Sequence, residues 1–267
     1  MLRFTPTSLR KAVLRMAYAG STVHVGCAFS IIEICAVLYR NHLRYPGFDP
    51  RAQDRDYLVL SKGHGVMAQY ACLHELGWIA DDELDRYFGD GTRLKGLSDA
   101  HVPGCEVTSG SLGHGLSVGV GLAMAAKLRN TDQRCYVIAG DGEMNEGTMW
   151  EALLFARHQK LDNLTLIIDE NGFQAMGRTD EVLGLGDLAR KLESFGFESR
   201  TVDGHDEQAL DDAVRALNAS RNDRPKAIVA RTVKGKGVSF MENENAWHYT
   251  RLSADTFAQA MVELEER

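Results

Sequence analysis

The sequence predicts an α/β fold, a doubly wound and mainly parallel sheet with helices on both faces. Three observations carry this. Cys135-Tyr136-Val137-Ile138-Ala139 and Leu164-Thr165-Leu166-Ile167-Ile168 are short apolar runs rich in β-branched residues. Such runs, stopped by Gly or Asp, read as buried strands of a parallel sheet. The first stops at Gly140-Asp141-Gly142-Glu143 and the second at Asp169-Glu170-Asn171-Gly172-Phe173. Between them Gly147 to Lys160 has room for one helix, the crossover that returns a chain to the same edge of a parallel sheet. Elsewhere helical and strand-like segments alternate along the chain.

In order, Thr7 to Tyr18 reads as a helix with Leu9, Val13, Leu14 and Met16 inward. Ser30 to Arg40 reads as a buried helix opened by a serine cap. Tyr57 to Leu60 is a strand ending at Ser61-Lys62-Gly63-His64. Val66 to Leu76 is a helix stopped by Gly77. Asp81 to Phe88 is a short helix with an acidic start. Gly89 to Gly110 is irregular, a loop length that is usually functional or mobile. Gly113 to Arg129 is a helix carrying several glycines, so something packs closely on it. Helices near Asp187 to Ser194 and Glu207 to Asn218, strands near Glu198 to Val202 and Ala227 to Arg231, and an amphipathic helix from Ala254 to Leu264 complete the chain. Without repeats or linkers, residues 1–267 are expected to form a single domain.

The 267 residues are 44% hydrophobic, ample for a core. A net charge of −7 argues against a general nucleic-acid binder. No apolar run approaches a membrane span. Met1 to Arg15 has dispersed charges and no apolar centre, so no signal peptide is expected. Cys27, Cys35, Cys72, Cys105 and Cys135 are odd in number and scattered, which disfavours a disulfide framework or zinc site and makes a reducing cytoplasm the expected compartment.

Open α/β sheets bind ligands at the carboxyl ends of their strands. Asp141 and Asn171 are therefore expected side by side on one sheet edge. A carboxylate, an amide oxygen and a nearby backbone carbonyl are hard donors that suit Mg²⁺ or Ca²⁺ and leave positions for phosphate oxygens. A plainer reading of Asp141 is a cap for the following helix.

Gly-Asp-Gly followed after about thirty residues by Asn resembles the thiamine-diphosphate fingerprint. Further stretches resemble the amino-terminal half of transketolases: His24-Val25-Gly26 with Ser30, Ser61-Lys62-Gly63-His64, Pro103 to Gly115, Phe195-Gly196-Phe197, Val202 to Asp206, and Lys234-Gly235-Lys236-Gly237 with Glu242 and Trp247-His248. The resemblance runs from about Thr7 to His248. It implies a thiamine-diphosphate-dependent transferase that moves a two-carbon ketol unit from a ketose or ketose phosphate to an aldose. It implies Asp141, Asn171 and the Phe173 carbonyl as ligands of Mg²⁺ (or Ca²⁺). His64, Gly110, Leu112, Gly142 and Glu143 would meet the cofactor, with the Gly142 N–H on a phosphate oxygen. His24, His64, His101 and His248 would serve the sugar chemistry, in which protons move on and off hydroxyls and a carbonyl. Glu146 and Glu151 would join an acidic network across a dimer. His64 also reads as a turn residue, Gly110 and Leu112 as helix-start packing, and the two glutamates as residues favoured by a helix dipole.

Several departures from the family pattern stand out. His24 lacks the usual flanking Gly and Pro, His101 is spaced unusually close to Pro103, and Tyr249-Thr250 follows His248 in place of Gly. The chain stops at Arg267, so the pyrimidine-binding and carboxyl-terminal domains of full-length transketolases are expected on a partner subunit, in an α₂β₂ heterotetramer. Two rival readings share the core motif: the decarboxylating component of a 2-oxo acid dehydrogenase or another thiamine-dependent carboligase, and a non-catalytic regulatory partner that merely binds the cofactor.

Overall fold

The apolar runs become strands β1 (Tyr57–Leu60), β2 (Cys135–Gly140), β3 (Leu164–Glu170), β4 (Phe173–Gln174), β5 (Gly177–Arg178), β6 (Glu198–Asp203) and β7 (Lys226–Arg231). This computed structural model describes residues 4–266; residues 1–3 and 267, the ends of the stretch assigned above to one domain, lie outside the described residues. Five strands form one sheet in the order β1-β2-β3-β7-β6, and every neighbouring pair is parallel. β4 and β5 make a small antiparallel hairpin beyond the end of β3.

The helices are α1 (Pro6–Ala19), α2 (Val25–Phe29), α3 (Ile32–Val37), α4 (Val66–Glu75), α5 (Asp81–Leu84), α6 (His114–Leu128), α7 (Gly147–His158), α8 (Thr179–Leu183), α9 (Leu188–Ser194), α10 (Glu207–Ala219) and α11 (Ala254–Glu265). They cover both faces because successive side chains on a strand point to opposite sides. Leu58, Leu60, Tyr136, Ile138, Ile167 and Ile228 share a core with α1–α4, α10 and α11. Val59, Val137, Ala139, Leu166, Ile168 and Val229 share the second core with α6, α7 and α9. A sheet buried on both faces explains why the central strands lack polar alternation.

Gly77 closes α4 as expected: at φ +77° its N–H reaches the His74 carbonyl at 2.8 Å. Three expectations need correction. Ser30 does not open a helix. The helical stretch begins at Val25, breaks at Ile31 (φ −109°), and ends in a wide π turn over Leu38–His42. The Ser30 hydroxyl instead faces Asp169 Oδ2 at 2.8 Å. The expected helix from Asp81 to Phe88 stops at Leu84, and Phe88 takes a positive φ of 60°. The hairpin and α8 fall outside the expected elements; two-residue strands are too short to show a period. All five cysteines are free and buried. Among the described residues no helix is long and apolar enough to cross a membrane.

The partner of the glycine-bearing helix is the sheet itself. A Cβ on Gly115 would stand 2.6 Å from Ser61 Cα, and one on Gly119 would collide with Val137 Cγ2. Gly121 has open space beside it. Substitution should therefore change sign along one helix. Gly119→Ala should lower stability by about 1–3 kcal/mol through overpacking. Gly121→Ala should raise it by about 0.5–1 kcal/mol through helix propensity. Urea unfolding midpoints check this, and equal midpoints would remove the close-packing account.

Candidate active site

The strands end on a cleft of about 690 Å³ lined by residues drawn from along the chain, from His24 to Tyr249 and including the last 3₁₀ turn (Asn245–His248). Its centre is set by register. Gly140 pairs with Asp169, so Asp141 and Asn171 leave adjacent strand ends. Asp141 Oδ2 accepts from the Gly172 N–H at 2.8 Å and from Thr179 Oγ1 at 3.1 Å, tying the two strand ends together. Asp141 Oδ1 accepts from the Gly142 N–H at 2.8 Å. This departs from the expectation of a free N–H for phosphate: the donor is satisfied inside its own loop. Glycine is needed at 142 for another reason, since a Cβ there would stand 2.8 Å from Gln174 Cγ.

Beneath these residues lies a buried ion pair that the sequence reading missed. Lys62 Nζ lies 2.5 Å from Asp169 Oδ2, with both side chains almost wholly inaccessible. Asp169 also accepts from Ser30, Thr232 and the Asn171 amide nitrogen, the last at 2.8 Å. One carboxylate thus gathers the ends of β1, β3 and β7 and the α2–α3 junction. Burial alone would raise the Asp169 pKa and lower that of Lys62, but their attraction wins and both stay charged. The same bond orients Asn171. With its nitrogen committed to Asp169, its oxygen is the atom left for a cation, and at present it accepts the Phe173 N–H at 3.1 Å.

Glu143 performs a similar function on the other side. Its carboxylate accepts from Ser61 Oγ, from the Gly113 N–H at 2.8 Å and from the Gly140 N–H at 3.3 Å. It lines the cleft, yet its oxygens are used to hold β1, β2 and the start of α6 together. Gly110, Leu112 and Glu146 also line the cleft. Glu146 is exposed at the start of α7 with no capping hydrogen bond, and Glu151 is exposed one turn later.

Three of the four predicted histidines meet. The rings of His24, His64 and His248 are 5.3–5.4 Å apart, centre to centre. His24 takes a left-handed φ of 75°, and its N–H reaches the His248 carbonyl at 3.1 Å. Lys234 Nζ sits 2.9 Å from His248 Nδ1 and 3.0 Å from Asn245 Oδ1. Lys234 is buried. Burial, with the charges of Lys234 and Lys62, lowers His24 to about 4 and His248 to about 3, and pushes His64 well down. At neutral pH all three are uncharged imidazoles, able to accept or donate one hydrogen bond each.

His101 is not brought to this cluster. Its side chain is 89% exposed and hydrogen-bonded to Asp99 Oδ1 at 2.7 Å, and it does not line the cleft. Asp99 Oδ1 also accepts the His101 N–H at 2.9 Å, which holds the residue in this exposed turn. His205 positions the Lys234 loop. It accepts the Val233 N–H on Nε2 at 2.8 Å, so its Nδ1 proton goes to Glu33 Oε2 at 2.9 Å. Glu33 is in turn held by Arg10. Met144 and Met149 are fully buried in the second core.

Asp141 is 3% exposed, and burial followed by the charge of Asp169 raises its pKa to about 6. The stability gained by burying the acid form is complete below about pH 3.8 and is lost as pH rises through about 6. A dication would reverse the penalty. In the metal-free chain the carboxyl carbon of Asp141, assigned by its loss in Asp141→Asn, should titrate near pH 6. Adding Mg²⁺ should move the midpoint down. A midpoint at the ordinary carboxylate value would contradict this electrostatic picture.

Residues 9–265 match the family described as "Transketolase, thiamine diphosphate binding domain". The chain is 37% identical over 258 residues to one of the subunits of the apulose-4-phosphate transketolase of Phocaeicola vulgatus, covering 97% of this chain and 92% of that one. It is 37% identical over 259 residues to a subunit of the 6-deoxy-6-sulfo-D-fructose transketolase of a Clostridium species, covering 97% and 94%. The solved transketolase of Leishmania mexicana superposes with a TM-score of 0.89 at 30% identity, over 97% of this chain; the chain spans 40% of that protein's length. The strand-end pair, the histidine cluster and the end-to-end match agree, and the chain belongs to the transketolase family as its thiamine-diphosphate-binding domain.

Proposed function

We propose that this chain is the cofactor-binding subunit of a two-component transketolase, holding thiamine diphosphate through a divalent cation, Mg²⁺ (or Ca²⁺). One observation carries the reading: Asp141 and Asn171 leave adjacent strand ends above two buried lysines. The donor set fits the group. The Asp141 carboxylate, the Asn171 amide oxygen and the Phe173 carbonyl are the hard ligands such a cation takes. Lys62, Lys234 and His64 stand on the same cleft wall for the diphosphate. Gln174 Nε2, also on the cleft, is buried with no hydrogen-bond partner, a donor suited to an anionic group.

Bound thiamine diphosphate supplies the electron sink through which a ketose carbon–carbon bond is broken and remade. The chain's own residues do the rest. His24, His64 and His248, neutral in this cleft, accept and return protons at sugar hydroxyls and the carbonyl. A diphosphate held beside Lys62 and Lys234 would offset the part of their pKa depression that comes from those charges, burial being the larger part. Glu143 and Asp169 tie the strand-end loops together. The substrates are a ketose donor and an aldose acceptor. The relatives named for a ketose phosphate and a sulfonated ketose support a donor that carries an anionic group.

We read residues 1–267 as one domain, with the pyrimidine-binding domain on a partner subunit in an α₂β₂ assembly. The near end-to-end match to proteins named as subunits supports this, whereas the chain spans only 42% of human transketolase. Exposed Val118 and Leu128 on α6 and Leu154 and Phe155 on α7 offer an apolar surface for that assembly. Five buried free thiols fit a reducing cytoplasm.

Asp141→Ala should keep the far-ultraviolet circular dichroism of the parent chain. It should lose cofactor affinity by more than the roughly 10–100-fold typical of outer-shell partners of a metal. Unchanged affinity would reduce Asp141 to a helix cap. For the assembly, the purified chain should bind thiamine diphosphate weakly and turn over no ketose alone. Adding the pyrimidine-domain subunit should restore tight binding and ketol transfer. Full activity from the chain alone would overturn the two-component reading, and tight binding without turnover in the reconstituted pair would favour a regulatory role.

A further inference from the structure

The cleft holds a second set of ligands whose chemistry is opposite to the first. Cys27 on α2, His64 after β1 and His248 in the last 3₁₀ turn each offer one ligand atom, and these atoms lie within 4.8 Å of one another. Cys27 Sγ is 3.6 Å from His248 Nδ1. All three residues line the cleft. A tetrahedral zinc site has Zn–S of about 2.3 Å and Zn–N of about 2.0–2.1 Å, which puts ligand atoms about 3.5 Å apart. The cluster therefore needs a contraction of about 1 Å, within the reach of side-chain rotation. Asp141 and Asn171 offer only oxygen, whereas one thiolate and two imidazoles select a borderline ion such as Zn²⁺ over Mg²⁺.

We propose that Cys27, His64 and His248 form a second metal site, for Zn²⁺ or a similar thiophilic dication, at the sugar end of the cleft. Binding breaks the Cys27 S–H bond, forms a metal–sulfur bond and releases one proton to solvent. Both imidazoles bind as the neutral species already present. His248 Nδ1 exchanges Lys234 Nζ for the metal, and Lys234 keeps Asn245 Oδ1, 3.0 Å away. The fourth position opens on the cleft and takes water or an anion, the latter favoured by Lys62 and Lys234. An ion there withdraws two imidazoles from substrate and so inhibits; that last consequence, and only it, rests on the transketolase reading.

Co²⁺ is the probe, because its thiolate charge-transfer band reports sulfur ligation without cofactor or substrate. Titrating the chain with Co²⁺ in the presence of Mg²⁺, which fills the oxygen site, should give that band saturating at one equivalent, with one proton released per ion. Excess Mg²⁺ should leave the band unchanged, and Zn²⁺ should abolish it. Cys27→Ser, close to isosteric, and Cys27→Ala should both lose the band while melting as cooperatively as the parent. His248→Gln should weaken Co²⁺ binding at least tenfold. No band in the parent chain, a band surviving in either Cys27 variant, displacement by Mg²⁺, or unchanged affinity in His248→Gln would each overturn the site. None of these readouts depends on ketol transfer, so the second site and the transketolase reading fail independently.

Discussion

The Lys62–Asp169 ion pair is the constraint on which the cleft depends. Two opposite charges at 2.5 Å with no solvent access cost several kcal/mol each in desolvation, and are tolerable only if their remaining valences are filled. Here they are. Ser30, Thr232 and Asn171 all donate to Asp169, and each comes from a different segment of the chain. The requirement to satisfy one buried carboxylate therefore brings four distant stretches to one point. It also sets which end of the Asn171 amide faces the cleft. A buried pair is weak evidence of stability, but this one fixes geometry, because it sets where the ends of β1, β3 and β7 meet.

Around that pair the charges are deliberately unbalanced. Lys62 and Lys234 are buried on the cleft wall, and their charge, added to desolvation, keeps three histidines neutral. Above them Asp141 is raised to about 6 by burial and by the charge of Asp169. A dication beside Asp141 and an anion between the lysines relieve both strains at once. A metal–diphosphate complex has that charge distribution. Binding energy thus comes partly from removing repulsions present in the free chain, and the same groups report occupancy through their titration.

How much of this was legible in the sequence follows from which physical signals are local. The parallel strands were legible because β-branched runs ending in Gly or Asp declare both the strand and its end. Asp141 and Asn171 followed from that placement, and His24, His64 and His248 from stretches that resemble the family's motifs. His101 did not, because its spacing from Pro103 differs by residues that decide whether a loop turns in or out. Lys62, Asp169 and Lys234 were in plain view as letters, but an isolated lysine or aspartate reads as solvated until a partner far away in sequence is known. Asp169 and Lys62 are separated by 107 positions. Ser30 was misread for the same reason: its hydroxyl serves Asp169 across the fold, while local rules see only a helix cap.

The surface around the cleft carries the remaining inference. Leu97, Met176, Leu183 and Tyr249 line the cleft and are each at least 42% exposed, next to a floor that is almost fully buried. A polar floor with an apolar rim is the arrangement expected where a second surface closes over a ligand: the floor holds charge, and the rim gains by leaving water. Tyr249, edge-on to His24 at 5.6 Å, joins the two regions. It occupies the position where the family motif has glycine, so whatever closes over this cleft must accommodate an aromatic ring directly above the histidine cluster. The buried lysines of the floor and the exposed ring of Tyr249 at the rim thus bound the cleft with opposite chemistry, charge below and an aromatic surface above.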